Sequence, residues 1–596
     1  MQTYNAPLRD MRFVLHELLD AGQLAALPGF EDATPDVIDA VLEEGAKFCE
    51  NRLLPLNRSG DEEGCSFENG VVRTPAGFKE AYDDFIAGGW QSISGDPKYG
   101  GQGLPETLNF VFEEMVCSTN LSFGVYPLLS RGAAATIEAH ASAELKDIFL
   151  PHLADGSWSG TMCLTEPHSG TDLGLIHTKA VPADDGAYKI TGTKIFITAG
   201  EHDLTDNIVH LVLAKLPDAP EGVRGISLFA VPKFLPDGQG GAGQRNSVAC
   251  GSIEEKMGIH GSATCVMHFD DATGWIVGAP HKGLRTMFTM MNGARLGVGV
   301  QGLGLGETAY QSAVAYAKDR RQGKSIGGRG DATDVADSIL VHPDVRRMLL
   351  NVRALNEGTR ALAYQTAIQI DVSRHHPDPE VRRDADEYVQ LMTPVIKAFL
   401  TDNGSQAANL AVQVHGGHGY IREHGMEQLV RDARIAQIYE GTNGIQALDL
   451  VGRKLGMNMG RLLRHFFHPM AAFLEDNRED EAIGDLVKPL AAAFGQLQQI
   501  TLLVAQRGLS DPEEAGAAAT DYLRAFGLVA VGYMWAQMAK VSHAAASNGG
   551  AEEPYYDDKT KTARFYMKKL LPETASLFLK IKAGKDTLMA HDRDAF

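Results

Sequence analysis

Apolar positions recur along this chain with two different periods, and the changes of period divide it into four stretches. Over residues 1–160 the spacing is helical: Asp36-Val37-Ile38-Asp39-Ala40-Val41-Leu42 opens one amphipathic run, and residues 108–116 form another after Pro105-Glu106. A glycine-rich loop, Gly95-Asp96-Pro97-Lys98-Tyr99-Gly100-Gly101-Gln102-Gly103, lies between them. From 161 to 280 the pattern shortens. Residues 188–191, 194–198, 208–213 and 226–231 are β-rich runs bounded by glycine, proline or aspartate, which predicts strands and an all-β domain. Helical spacing returns over 281–456, in runs such as 308–321 and 403–414. It continues through an alanine-rich last stretch, 460–596, broken by polar loops at Ser510-Asp511-Pro512 and Ser547-Asn548-Gly549-Gly550. The expected fold class is α+β, mainly α, with no internal repeat.

A chain of 596 residues exceeds what one hydrophobic core organises, so several domains are expected, and 44% apolar residues suffice to fill them. The formal net charge of -21 argues against nucleic acid or anionic lipid as a general partner. Six cysteines (Cys49, Cys65, Cys117, Cys163, Cys250, Cys265) are scattered without a CxxC pair, which suits free thiols in a reducing compartment. Acidic residues Asp10, Glu17 and Asp20 interrupt the first twenty positions, so neither a secretory signal nor a spanning helix is visible, and the cytoplasm is the expected location.

Several tempting motifs lose their context on inspection. Gly297-Val298-Gly299-Val300-Gln301-Gly302 is formally a G-x-G-x-x-G, with Asp319 as its acidic partner, but a dinucleotide fingerprint needs a buried strand before it and Met287-Phe288-Thr289-Met290-Met291-Asn292 leads in. A glycine-lined helix packed tightly on a neighbour is the better account. The pairs His375-His376, His415 with His418, and His465 with His468 lack carboxylate or cysteine companions at metal-site spacing, so no metal is expected. Neither a P-loop nor a G-x-S-x-G elbow is present.

Three segments carry more promising chemistry. In Tyr439-Glu440-Gly441-Thr442-Asn443-Gly444-Ile445-Gln446 one carboxylate sits between an aromatic and a glycine; shielded from water, such a glutamate becomes a base near neutral pH, although taken alone an ordinary surface glutamate at a helix start is the better account. Met162-Cys163-Leu164-Thr165-Glu166-Pro167-His168-Ser169-Gly170-Thr171-Asp172 concentrates hydroxyls and glycine-freed amides in a turn after an apolar strand, suited to a polar ligand edge and to phosphate. Phe196-Ile197-Thr198 places an aromatic and a hydroxyl on one strand face, since alternate side chains share a face.

In this order the pieces resemble the acyl-CoA dehydrogenase family over nearly the whole chain. Tyr99-Gly100-Gly101-Gln102-Gly103 looks like its N-domain loop, residues 162–172 like its C-x-T-E-P-x-x-G-S/T-D signature, and Phe196-Ile197-Thr198 like its W/F-I-T triplet. Gln413-Val414-His415-Gly416-Gly417-His418-Gly419-Tyr420 is similar to its Q-x-x-G-G-x-G-Y/F run, and Arg431-Asp432-Ala433-Arg434 followed by Ile438-Tyr439-Glu440-Gly441-Thr442 to the stretch holding its catalytic base. The Glu-Gly-Thr-Asn-Gly-Ile-Gln form, the opening Tyr4-Asn5-Ala6-Pro7-Leu8-Arg9-Asp10-Met11 and the helical extension are most similar to the 3-methylmercaptopropionyl-CoA dehydrogenase subgroup.

The resemblance implies an N-terminal helical domain over 1–160, a middle β-barrel or sandwich over 161–280, a helical bundle carrying the base over 281–456, and a C-terminal helical extension over 460–596. It implies FAD and dehydrogenation of an acyl-CoA to the trans-2-enoyl-CoA, with 3-(methylthio)propanoyl-CoA or a related short-to-medium chain as substrate and electrons passed to electron-transfer flavoprotein. Glu440 is carried over as the base, with Gly441 leaving room for the acyl chain. Met162, Leu164 and Thr165 fall along one edge of the isoalloxazine, Gly170 and Thr171 in the following turn, Phe196 and Thr198 near its face, and Thr442 and Asn443 within its reach. Arg320, Gln322, Gln413 and Gly417 match positions that hold the cofactor's pyrophosphate and adenine across a subunit boundary, so a homo-oligomer, a dimer first, is implied. Here Arg320-Arg321-Gln322-Gly323 departs from R-x-x-F-G, and Gln322 stands in for the missing aromatic. Thr171, Asn292 and Arg295 match the CoA-binding positions, Asn292 replacing a common acidic residue.

In the last stretch Leu523, Phe526, Leu528, Val529, Tyr533 and Met534 form an apolar helical surface that caps the core or a dimer interface. A second reading takes Lys568, Lys569, Lys580 and Lys582 beside Leu570, Leu571, Leu577, Phe578 and Ile581 as a membrane-surface helix, against which the acidic charge argues. The alternatives to the dehydrogenase are a long-chain relative, an acyl-CoA oxidase and a DNA-associated flavoprotein on the same fold.

Overall fold

The computed structural model describes residues 2–328, 334–547 and 549–596, so Asn548 of the expected polar loop lies outside the described residues. The chain forms two compact units. One, the bundle unit, comprises Met1–Glu43, Phe110–Ser118 and Val298–Phe596; the other, the sheet unit, comprises Glu44–Asn109 and Thr119–Gly297. Compactness thus groups the first 160 residues differently from the four sequence stretches, sending the N-terminal arm and residues 110–118 to the same unit as the C-terminal helices.

The strands, in chain order, are β1 (Ser66–Glu68), β2 (Val71–Arg73), β3 (Trp158–Cys163), β4 (Lys179–Pro182), β5 (Tyr188–Thr198), β6 (Asn207–Lys215), β7 (Ile226–Pro232), β8 (Phe234–Pro236), β9 (Ala242–Arg245), β10 (Val248–Ile253) and β11 (Thr264–Ile276). All belong to the sheet unit. Strand pairing runs β11–β5–β4–β6–β7 and back to β11, a closed ring, with β10 flanking β11 and β3 parallel to β6. Closure removes the free edges of these five strands. β6 and β7 are buried almost throughout, which explains why their sequences run apolar continuously instead of alternating. The expected runs 188–191 and 194–198 are one strand, because β5 continues through Gly192, where an added Cβ would sit 2.4 Å from Thr178 Oγ1.

The hairpin β1–β2 lies inside the stretch read as helical. Its signal was Asn69-Gly70, both at positive φ (52° and 80°), the two-residue turn that matches strand twist. Helix Leu121–His140 packs on β3 closely enough that a Cβ on Gly160 would fall 2.3 Å from Ala133 Cβ, while Gly160 N donates to Ser130 Oγ at 3.1 Å.

In the bundle unit the long helices Pro343–His375 and Pro379–His415, the greater part of Gly283–Asp319, and the shorter Met426–Ala436 form the expected bundle. The G-x-G-x-x-G run lies inside a helix, as its lead-in sequence implied. A Cβ on Gly302 would meet Leu400 O at 2.5 Å and one on Gly404 would meet Gly302 O at 2.2 Å, so only glycines allow the two backbones to cross this closely.

The N-terminal arm is fastened by charge. Arg360, 1% exposed, donates through Nε and Nη2 to Glu114 Oε1 (2.9 and 2.6 Å), through Nη1 to Asp10 (2.5 Å) and through Nη2 to Glu307 (2.9 Å). Buried Lys559 reaches Asp10 and Glu357. A guanidinium's fixed fork of donors suits a site where three carboxylates converge.

The last stretch packs as core. Leu528, Val529 and Met534 in helix Pro512–Ser547 are fully buried, each contributing about 1.5–3 kcal/mol, and Trp535 Nε1 donates to Ala354 O at 2.8 Å. The residues of the membrane-surface reading are turned inward: Leu570, Leu571, Leu577, Phe578 and Ile581 are all buried, so they present no apolar face to a bilayer. Among the described residues no helix is long and apolar enough to cross a membrane.

Candidate functional site

Each unit gathers one set of the expected residues. In the sheet unit the chain leaves β3 at Cys163 and folds into a turn closed by reciprocal backbone bonds between Glu166 and Ser169 (3.0 Å each), with Ser169 Oγ donating to Asp172 O at 2.7 Å. Beneath it lies a buried charge pair that the sequence reading did not single out. Lys194 Nζ, 0% exposed, donates to Glu166 Oε1 (2.9 Å) and to Leu164 O (2.9 Å). Glu166 also accepts from His177 N (2.6 Å), Thr178 N (3.1 Å) and Thr178 Oγ1 (2.5 Å). Burial pushes the Glu166 carboxyl up, but the Lys194 ammonium and these donors outweigh it and hold the group at about 2; burial lowers Lys194, against the pull of Glu166.

With its internal oxygens occupied, the turn presents Gly170 and Thr171 to solvent, Met162 and Thr165 stay half-buried, and Leu164 packs inward. Ile195 N donates to Thr165 O at 2.9 Å, tying the turn to β5. There the register with β11 slips between Cys265 and Met267, and Phe196 takes φ +58° and stands 60% exposed. A bulge interrupts the ladder at that point, with Phe196 exposed, Ile197 buried and Thr198 half-buried. An exposed aromatic beside half-buried hydroxyls and backbone amides fits a planar ring with a hydrogen-bonding edge. Also in this unit, Asn292 is exposed, while Arg295 is buried with its guanidinium 5.8 Å from the centre of the Phe288 ring.

In the bundle unit, helix Met426–Ala436 ends in a tight turn. Ile438 N and Tyr439 N donate back to Ile435 O (2.8 and 3.1 Å), Glu440 and Gly441 take φ +55° and +84°, and Asn443 N closes the loop on Gln437 O at 3.1 Å. Thr442 then caps helix Asn443–Asp449, accepting from Ile445 N at 3.4 Å. Glu440 is half-buried at the crest. Beside it, burial, with the neighbouring Cys117 and Glu440 adding, pushes the Tyr439 phenol well above its usual value, and the hydroxyl bonds Gln301 Oε1.

Asn443 does not face outward. Its Oδ1 accepts from Lys397 Nζ (2.8 Å) and its Nδ2 donates to Asp402 Oδ1 (2.7 Å) and Thr401 Oγ1 (3.0 Å), so its amide is committed to helix Pro379–His415. Gln437 Nε2 donates to the same Asp402 oxygen at 2.6 Å. Lys397, Asp402 and Gln446 therefore belong to the support of this loop; only Gln446 had a sequence signal, as the end of the quoted run.

The Arg320 and Gly417 segments also come together. Arg320 N donates to Tyr316 O (2.8 Å); the Tyr316 ring stacks on His415 with centroids 4.2 Å apart, and its hydroxyl lies 2.9 Å from His418 Nδ1. Arg320, Gln322, Gln413 and Gly417 are all exposed. Residues 320–323 pair with 337–339 through Ile339 N to Arg320 O (2.9 Å) and Gln322 N to Asp337 O (2.9 Å).

The reading that His465 lacks carboxylate companions is overturned. Helix Pro379–His415 brings Glu387 to 2.9 Å and Asp384 to 3.7 Å from His465 Nε2, a proximity no sequence spacing reveals. Arg461 and Asn458 also bond Glu387, and Arg461 above all holds its carboxyl at about 2, which makes the cluster an ion-pair node.

The chain matches "Acyl-CoA dehydrogenase, N-terminal domain" over residues 36–157, the middle domain over 161–272, the C-terminal domain over 281–455 and "Acetyl-CoA dehydrogenase C-terminal like" over 466–592. It is 44% identical over 591 residues to 3-methylmercaptopropionyl-CoA dehydrogenase of Ruegeria pomeroyi, covering 98% of this chain and 99% of that one. It is 34% identical to a butyryl-CoA dehydrogenase of Syntrophomonas wolfei, covering 100% and 99%. Among solved structures, Caenorhabditis elegans ACDH-11 shares the fold with a TM-score of 0.79 at 19% identity, over 99% of this chain and 96% of that one.

Proposed function

The chain belongs to the acyl-CoA dehydrogenase family, and from that premise we propose that it converts a saturated acyl-CoA to the trans-2-enoyl-CoA with Glu440 as base, FAD as cofactor and electron-transfer flavoprotein as acceptor. The observation that carries the reading is the Glu440 turn: a half-buried carboxylate at φ +55° beside Gly441 at φ +84°, within the run that is similar to the family's base-bearing stretch.

Oxidation between Cα and Cβ needs a base for the Cα proton and a hydride acceptor for Cβ. The flavin, when bound, supplies that acceptor. Glu440 takes the Cα proton, and its backbone N–H donates to the thioester carbonyl as negative charge gathers there. Gly441, without a side chain, lets the acyl chain pass. Met162, Leu164 and Thr165 line one edge of the ring, Phe196 and Thr198 stand near its face, and Gly170 exposes the backbone of the turn. Thr171, Asn292 and Arg295 hold the CoA arm. Thr442 contributes at the cap, with Asn443 fixing the loop from behind. Arg320, Gln322, Gln413 and Gly417 reach the pyrophosphate and adenine of a cofactor bound in a second copy of the chain, which makes a homodimer the working assembly, in the cytoplasm.

For the acyl group we favour 3-(methylthio)propanoyl-CoA, supported by the Ruegeria relative; butanoyl-CoA, supported by the Syntrophomonas relative, is the second candidate. Anaerobic flavin bleaching across a series of acyl-CoAs decides between them. Glu440→Gln is expected to retain FAD and acyl-CoA binding while bleaching falls by at least about 10²–10⁴-fold. Bleaching at the parent rate would remove Glu440 as the base. Fast reoxidation in air with peroxide formation would replace the flavoprotein acceptor with dioxygen.

A further inference from the structure

The carbonyls of Glu440 and Gly441 have an unusual partner. Gln446, 0% exposed in helix Asn443–Asp449, donates from its one Nε2 to Glu440 O at 3.1 Å and to Gly441 O at 3.4 Å. Carbonyls only accept, so the amide's orientation is fixed: its nitrogen faces the loop, and its Oε1 is buried without a hydrogen-bond partner among the described residues. A buried, half-satisfied amide is costly, and a side chain chosen for packing alone would not be a glutamine.

The rest of the loop explains what this fork does. Asn443 N closes the stem on Gln437 O, and the Asn443 amide is anchored on helix Pro379–His415, but neither contact touches the two left-handed residues at the crest. Left-handed backbone is unfavourable for a glutamate, and the flexible Gly441 next to it offers easy rotation of the shared peptide. Rotating that peptide turns the Glu440 carbonyl away from Gln446 and frees the Glu440 φ to leave +55°, which re-aims its side chain and N–H relative to the rest of the loop. Gln446 is the side chain that grips the carbonyls on both sides of the hinge.

We propose that Gln446 is a positioning residue for Glu440, locking the doubly left-handed turn so that the carboxylate and backbone N–H of Glu440 are aimed at the same thioester. The proposal rests on the reading of Glu440 as base. It acts through Glu440 and touches no substrate atom, and being neutral it holds the turn equally in both protonation states of Glu440.

The test compares Gln446→Met, which keeps length and apolar bulk but cannot donate, with Gln446→Glu. In the apoprotein, amide hydrogen exchange over residues 438–446 should speed up in Gln446→Met while exchange elsewhere stays at the parent rate. In the FAD-loaded enzyme with butanoyl-CoA, Gln446→Met should lower the limiting rate of anaerobic bleaching on the order of 10²-fold, with FAD content and the half-saturating butanoyl-CoA concentration within about twofold of the parent. Gln446→Glu can donate only while its introduced carboxyl is protonated. Its bleaching rate should therefore fall as pH rises through a limb absent from the parent. Unchanged exchange at 438–446 overturns the clamp, as does a parent-like bleaching rate in Gln446→Met. If Gln446→Met fails to fold, the pH limb in Gln446→Glu decides, and its absence overturns the proposal. Failure of the base reading is distinguishable, because it shows as bleaching by Glu440→Gln and leaves the apoprotein exchange result unaffected.

Discussion

Two short segments carry the candidate site residues, and they are held differently. The turn after β3 stands on a fully buried lysine–carboxylate pair, Lys194 with Glu166, whose charges never need to change. The Glu440 loop is gripped directly by amides, Asn443 from behind, itself anchored on Lys397 and Asp402, and Gln446 from inside. The difference matches what each segment carries. A surface that only binds can stand on permanent charges, whose mutual attraction is strong where water is excluded. In the proposed reaction the Glu440 carboxylate gains and loses a proton, and such a loop is better held by groups whose grip is independent of that charge.

The strongest way to break the contrast is to remove one member of the pair. Lys194→Met leaves Glu166 buried against backbone donors without its counter-charge, a loss of about 3–5 kcal/mol. The expected outcome is a protein that is poorly soluble or devoid of FAD, measured by expression yield, thermal unfolding and flavin content. Replacing both partners, Lys194→Met with Glu166→Gln, should recover much of that loss, because no uncompensated charge remains. Full stability in the single variant would reduce the pair to packing.

A smaller effect is expected with pH. The Glu166 carboxyl sits at about 2 in the fold, below the value near 4.3 of an unfolded glutamate. Because its folded value is depressed, its contribution is fully present above about pH 4.3 and is lost as pH falls toward about 2. Thermal melts from pH 6 down to pH 3 should therefore fall more steeply for the parent than for Glu166→Gln. Parallel curves would mean that Glu166 titrates alike folded and unfolded.

The two segments also differ in how visible they were. The Glu440 loop could be read from adjacent residues, since the proposed base Glu440, Gly441, the cap Thr442 and Gln446 lie within seven positions. The strand runs of the middle region were legible for a similar reason: burial on one or both faces writes itself into local composition. What escaped were the long-range partners. Lys194 reads as one more lysine in a strand and becomes a support only because β5 passes beneath the turn. Asp402 and Lys397, or Glu387 beside His465, are joined to their partners by helix packing and by nothing in the spacing. The bulge at Phe196 was hidden for a different reason, since period-two logic assumes an unbroken ladder and the register slip with β11 is a property of the pair of strands.

The smallest effect comes from that bulge. Phe196 holds φ +58° with 60% of its surface exposed, so its ring gains little from packing while its backbone bears strain. Glycine at this position relieves about 1–2 kcal/mol of left-handed strain, against about 0.5–1 kcal/mol from the greater freedom of the unfolded chain. The Phe196→Gly apoprotein should therefore be as stable as the parent or more stable by at most about 1 kcal/mol, in thermal melts, while its affinity for FAD falls. A strained residue whose removal costs no stability but weakens the ligand is retained for the ligand. An apoprotein destabilised by several kcal/mol would make Phe196 a core residue and shift the support of the sheet unit's site onto Lys194 and Glu166 alone.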